Sequence, residues 1–220
     1  MIPLRDIIPS RTRPYITISI IGVNALAWLF ELRLPSDVLD DFFRAYGVVP
    51  ADLHAPTLVT SMFLHGSWMH VIGNMWSLWI FGDNVEDRLG HGTFILFYLL
   101  CGIGAALGQV AVVPDSPLPT IGASGAIAGV MGAYFVLYPR SRVLNLVPLI
   151  VFWDVIELPA PVVLGFWFLA QLFNAGAVAA TASMGGVAFA AHVVGFLIGV
   201  GGGFLYRKRP QPPGWWEGSG

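Results

Sequence analysis

Charge is scarce in this chain. Only 11% of its residues are Asp, Glu, Lys or Arg, against ~25% in soluble domains, while 56% are hydrophobic, against ~45–50%. That balance excludes a water-soluble fold, and a net charge of −2 leaves no basic footprint for a nucleic-acid partner. Cysteine is nearly missing. Cys101 stands alone, so no intramolecular disulfide can form, and inside an apolar run it reads as a small buried side chain. No small-residue cleavage site follows the Arg-bearing N-terminus, which predicts an uncleaved first helix. No repeat relates the two halves, as one does in many transporters. No hydrophilic block is large enough to own a core, so a single domain is expected.

What the chain has instead is long apolar runs. Crossing ~30 Å of hydrocarbon takes ~20 apolar residues, and six stretches qualify, at roughly 15–32, 60–82, 93–113, 121–138, 158–176 and 187–206. The expected fold class is all-α, a polytopic membrane protein with six transmembrane helices over 15–206. A cytoplasmic N-terminus (1–14) would precede them and a basic, disordered cytoplasmic tail (207–220) follow. With the N-terminus inside, Arg5, Arg11, Arg13, Arg88, Arg140, Arg142, Arg207, Lys208 and Arg209 all fall on the cytoplasmic side, and only Arg33 and Arg44 lie outside. The apolar run Val143 to Ile156 is short and holds Pro148 and Asp154. It is expected to be an interfacial or partly inserted segment on the cytoplasmic side, not a seventh span. Residues 33–57 form the longest outside loop, expected to lie on the bilayer surface.

Two polar residues stand out within the spans: Ser124, in Gly122-Ala123-Ser124-Gly125, and His192, in Ala191-His192-Val193-Val194-Gly195. An imidazole at membrane depth is a functional hypothesis by default, and a serine with a histidine is the minimum equipment for nucleophilic acyl transfer. The topology puts Ser124 three residues and His192 five residues into their helices from the same side, at matching depths of ~5–8 Å. Gly125, Gly129 and Ala133 on one helix, and Gly195, Gly199 and Gly203 on the other, repeat every fourth residue, a pattern that lets membrane helices pack closely.

On the second span His70 and Asn74 share one helical face. With the Ser124 amide they could donate to an oxyanion. Three histidines raise the question of a metal, but no carboxylate or thiolate joins them at that depth, so neither metal nor another cofactor is expected. The acidic residues near membrane depth, Asp83, Glu86, Asp87, Asp154 and Glu157, fall on the cytoplasmic side. None can orient His192, which leaves a Ser–His dyad. Each residue also has a plain structural reading: a membrane serine bonds back to its own helix, and an asparagine glues helices together. His54 and His91 are expected simply to face water in loops.

In order and in placement on the spans, His65…His70…Asn74, the Gly122–Gly125 turn and the Ala191–Gly195 helix resemble the rhomboid family of intramembrane serine proteases, over about 15–206. Gly82, Glu86 and Gly90 resemble its signature after the second span. The resemblance implies that Ser124 is the nucleophile and His192 the general base and acid. It implies an oxyanion hole made by His70, Asn74 and the Ser124 amide, with His65, Gly122, Gly125, Glu86, Gly195 and Gly199 as structural supports. Single-pass membrane proteins would be the substrates, the lipid bilayer the surrounding, and a bacterial inner membrane the location. A catalytically inactive, client-binding rhomboid-like protein is the alternative. The resemblance also puts a lateral entrance between the second and fifth spans, gated by Phe166, Trp167, Phe168 and Phe173. Two departures bear on the site. Pro56-Thr57 stands where the family often has Trp-Arg, and Ala128 where an aromatic residue often packs on the catalytic histidine.

Overall fold

The computed structural model describes residues 1–149, 152–181 and 188–207. In chain order these form strand β1 (Ile2–Asp6), then helices α1 (Tyr15–Glu31), α2 (Ser36–Tyr46), α3 (Thr57–Thr60), α4 (Trp68–Leu89), α5 (His91–Val112) and α6 (Ser124–Leu137). Strands β2 (Arg142–Leu149) and β3 (Phe152–Pro159) and helices α7 (Ala160–Thr181) and α8 (Phe189–Arg207) complete the order. The six long helices make the bundle of an all-α polytopic membrane protein. Among the described residues α5, α7 and α8 are long and apolar enough to span a bilayer, while α1 and α6 are apolar but shorter. Large apolar side chains such as Leu26, Phe166, Phe173 and Leu205 point outward, the arrangement that a lipid solvent favours and water penalises.

At the centre stands α6, buried without a break from Gly125 to Tyr134. Its partner is α8, and the two meet without intervening side chains. A Cβ placed on Gly195 would run into the carbonyl of Gly125, one on Gly199 into that of Gly129, and one on Gly132 into that of Phe196. Close backbone approach of this kind lets dispersion and weak hydrogen bonds hold membrane helices, where no hydrophobic drive separates protein from lipid.

One turn of α4 fastens the ends of two other helices. The buried Glu86 carboxylate accepts from the backbone N–H groups of Ile16 (2.9 Å) and Thr17 (2.7 Å), orphan donors at the start of α1. Asp87 accepts from the amide and hydroxyl of Thr12, and Arg88 donates to the carbonyls of Tyr206 and Arg207 at the end of α8. Gly90, with φ +82°, then turns the chain directly into α5. His91, expected to face water alone, instead sets Nδ1 2.5 Å from Glu86 Oε1, because α5 begins at that residue. His54 remains exposed, 3.4 Å from Asp52.

Residues 143–149 and 152–157, within the segment expected to be interfacial or partly inserted, are extended strands. They form most of the β2–β3 hairpin, and β1, drawn from the expected N-terminal extension, adds a third antiparallel strand in the order β1-β2-β3. The physical reason is backbone satisfaction: a non-helical apolar stretch must pair its N–H and C=O groups, and Val143, Val147, Val155 and Ile156 favour doing so as strands. Arg142 and Glu157 pair across the hairpin at 2.6 Å. Asp6 closes β1 onto the bundle, its Oδ2 accepting from Tyr134 Oη (2.6 Å) and Asn84 Nδ2 (2.9 Å). Burial pushes that carboxyl up to about 7. Lys208, Arg209, the rest of the expected tail to Gly220 and the expected sixth-span start at Val187 lie outside the described residues.

Candidate active site

The loop before Ser124 is placed from above by the long first loop. Val48 and Thr120 exchange two backbone hydrogen bonds (3.0 and 2.7 Å), and the Gly122 N–H donates to Ser61 O (2.8 Å). The first loop achieves this with Pro56-Thr57 in place: Pro56 precedes α3, and the buried Thr57 hydroxyl donates to His54 O at 2.7 Å. Gly122 takes φ +120°, and a Cβ there would sit 2.6 Å from His70 Nε2. Only glycine allows both that conformation and that contact.

Because Gly122 cannot continue a helix in this conformation, α6 begins at Ser124 itself, three residues later than the sequence suggests. The serine is recessed by the loop rather than by a preceding helical turn. The N–H groups of Ser124, Gly125 and Ala126 consequently have no intrahelical acceptor, and the positive end of the α6 dipole lies beside the serine hydroxyl.

His192 is the fourth residue of α8 and is buried. Its Nε2 lies 2.7 Å from Ser124 Oγ. Trp167 of α7 lies 5.9 Å from the ring between centroids, and Phe189, at the start of α8 itself, meets it edge-on at 6.4 Å. Ala128 is fully buried within α6, so the packing that its small side chain does not supply comes from Trp167. That finding moves Trp167 from the expected gate into the site. Phe168 also turns inward, stacking on Phe196 at 4.6 Å. Of the four proposed gate residues only Phe166 and Phe173 are largely exposed, at 70% and 78%.

The far side of the His192 ring holds a partner that the sequence reasoning overlooked. Nδ1 lies 2.8 Å from Gln171 Oε1, on α7. The search for an orienting group considered carboxylates alone. Two carboxamides, Gln171 and Asn174, interrupt the apolar run Leu164 to Ala175; polar side chains at membrane depth tend to be functional, and while Asn174 bonds back to Ala170 O on its own helix, Gln171 reaches His192. The same survey passed over Glu31, which is buried at the end of α1 on the Ser124 side of the bundle. Its carboxylate accepts from the His65 backbone N–H at 3.3 and 3.4 Å. It anchors the start of α4 rather than the imidazole of His192.

Asn74 and His70 rise from α4 on the opposite wall. Asn74 Nδ2 lies 3.0 Å from His65 Nε2, and the His65 and His70 rings meet at 4.9 Å. With the amide as donor in that pair, one hydrogen on Asn74 Nδ2 remains for another acceptor. Ser67 caps α4, its hydroxyl accepting from the His70 N–H. A cavity of about 850 Å³ lies between these walls, lined by Ser124, His192, His70, Asn74, Gln109 and Trp167 among others.

A family model described as Rhomboid domain matches residues 53–209, well over half of the chain. This chain belongs to the rhomboid family. It is similar to "Rhomboid-like protein 11, chloroplastic" of Arabidopsis thaliana, at 30% identity over 203 residues, covering 86% of this chain and 67% of the plant protein. It is also similar to "Rhomboid protein 1, mitochondrial" of Saccharomyces cerevisiae, at 32% identity across 70% of this chain and 43% of the yeast protein. A shorter segment, 39% of this chain, is 40% identical to 16% of "Rhomboid protease GluP" of Bacillus subtilis. The rhomboid match takes in His65, His70, Asn74, Ser124, Trp167, Gln171 and His192.

Proposed function

We propose that this rhomboid is an intramembrane serine endopeptidase that cleaves single-pass membrane proteins. The observation that carries the reading is the 2.7 Å approach of Ser124 Oγ to His192 Nε2 in the lining of a single cavity. Ser124 Oγ attacks the scissile carbonyl carbon while its proton passes to His192 Nε2. The negative charge that develops on the carbonyl oxygen faces the free amides at the α6 N-terminus, with Asn74 and His70 as side-chain donors. His192 then gives its proton to the departing amine as the C–N bond breaks. Water, deprotonated by the same nitrogen, releases the acyl group and restores the serine.

Positive-inside asymmetry supports a cytoplasmic location for both termini, and the site of action proposed with it is a bacterial inner membrane. The test is incubation of the purified protein with a model type I membrane substrate, beside Ser124→Ala. Cleavage that needs Ser124 is the expected result. A protein that binds the substrate and leaves it whole belongs with the inactive, client-binding members of the family.

A further inference from the structure

We propose that Gln171 is the positioning residue of this site, fixing the tautomer and tilt of His192 from α7. The inference rests on the proteolytic reading above and adds a third, neutral member to the pair. For Nε2 to accept the Ser124 proton it must carry none beforehand, so the proton of the neutral ring belongs on Nδ1. A buried Nδ1–H needs an acceptor, and the only one recorded among the described residues is Gln171 Oε1 at 2.8 Å. The carboxamide satisfies that donor with its oxygen, which settles which way the amide faces. A carboxylate there would hold the imidazolium more strongly, at the cost of a charge on a helix with outward-facing Phe166, Leu169 and Phe173. A carboxamide meets the geometric requirement with a much smaller desolvation cost.

During the reaction the Ser124 proton arrives on Nε2 while the Nδ1 proton stays on the ring, still donated to Gln171. No proton passes to the amide. Gln171 therefore acts by orientation and by its dipole. Trp167, one helical turn away on α7, contacts the ring beside it. The two make α7 the template against which the imidazole is set.

The experiment compares Gln171→Met, of similar length without an acceptor, with Gln171→Glu, which keeps an oxygen at the same reach. A short soluble peptide serves as substrate, so that entry from the bilayer does not enter the rate. Gln171→Met is expected to lower kcat about 10- to 100-fold with KM little changed, a part of the ~10²–10⁴-fold that positioned proton transfer supplies. Gln171→Glu is expected to recover most of that loss. Equal losses in both variants, or full kcat in Gln171→Met, overturn the proposal.

A second measurement is independent of turnover. ¹⁵N-histidine spectra, with the His192 signals assigned by His192→Gln, should show protonated Nδ1 and bare Nε2 in the parent protein and a mixture of tautomers in Gln171→Met. An unchanged tautomer also overturns the proposal. A parent protein that neither cleaves nor labels sinks the proteolytic reading instead, while the spectra still decide what Gln171 does.

Discussion

His192 has two neighbours built on opposite terms. On one side α6 and α8 touch backbone to backbone, Gly195 against the carbonyl of Gly125 and Gly199 against that of Gly129. On the other, α7 reaches the ring through the side chains of Trp167 and Gln171, while Phe166 and Phe173 face outward. The first contact sets how far Ser124 stands from His192. The second sets how the ring is turned. Distance is thus fixed by atoms that have no rotamers, and orientation by side chains that do.

Removing either member of the pair is the most severe way to break this arrangement. Ser124→Ala and His192→Ala should each reduce cleavage to background while the protein stays folded, and the double variant should be little worse, since such units lose as much as ~10⁶-fold from one deletion. A fluorophosphonate should label Ser124 only when His192 is present. Substantial turnover by Ser124→Ala sinks the assignment.

Next in size is the wall that neither helix pair provides. Asn74→Ala should lower kcat by up to ~100–1000-fold with a smaller change in KM, the range for one lost oxyanion donor. The donors that remain, His70 and the α6 amides, set the lower end of that range. A change confined to KM moves Asn74 from the transition state to substrate binding.

Gly199→Val probes the seam itself. Its new side chain meets the Gly129 backbone, which cannot step aside by changing rotamer. The expected cost is ~1–3 kcal/mol or more in unfolding stability, and for a ~1 Å displacement of the pair, ~100-fold in rate. Thermal unfolding in detergent and the rate of serine labelling measure the two separately. An active, equally stable Gly199→Val would mean that the separation of the pair is set elsewhere.

Phe166→Ala and Phe173→Ala test the lipid-facing side of α7. They should raise turnover of a transmembrane substrate severalfold and leave a short peptide almost unaffected. Equal change for both substrates takes the gate out of the mechanism. Trp167 is not part of this test, because its substitution disturbs the His192 ring directly.

The smallest expected effect lies at the other end of α6. The native Asp6 carboxyl, raised to about 7 by burial from an ordinary value near 4, holds a proton that the unfolded chain releases. Its contribution to stability is complete below about pH 4 and declines as pH rises towards about 7. Asp6→Asn should flatten that part of the unfolding-temperature profile between pH 4 and 8. An unaltered profile shows that the Tyr134 contact does not depend on the proton.

The helices were legible in the sequence because lipid forces long apolar runs, and a run is visible without knowing what it packs against. Ser124, His192 and the four-residue glycine spacing were legible for the converse reason: polar or tiny residues stand out in apolar text. The sheet was not. Its first strand lies far from the other two in the chain, and β1 pairing with β2 is a long-range event that no local pattern at Ile2–Asp6 announces. Gln171 carries no charge to mark it and Glu31 sits at the very end of an apolar run, while α6 starts later than its apolar run because the positive φ of Gly122 breaks the helix without leaving a trace in composition. Trp167 could be seen as aromatic, but only the third dimension shows that it lies against the His192 ring.

The brevity of α6 has one more consequence. Fourteen residues rise ~21 Å, some 9 Å short of the ~30 Å hydrocarbon layer, and the reactive hydroxyl sits at the short end. The bundle is in effect a depth gauge: with α6 footed at one membrane surface, it meets a neighbouring polypeptide at a set distance from that surface. A bilayer thinner by a few ångströms would slide the same peptide along the gauge by a residue or two at 1.5 Å each. On the proteolytic reading, lipid thickness would join amino-acid sequence in selecting which bond comes into register with Ser124.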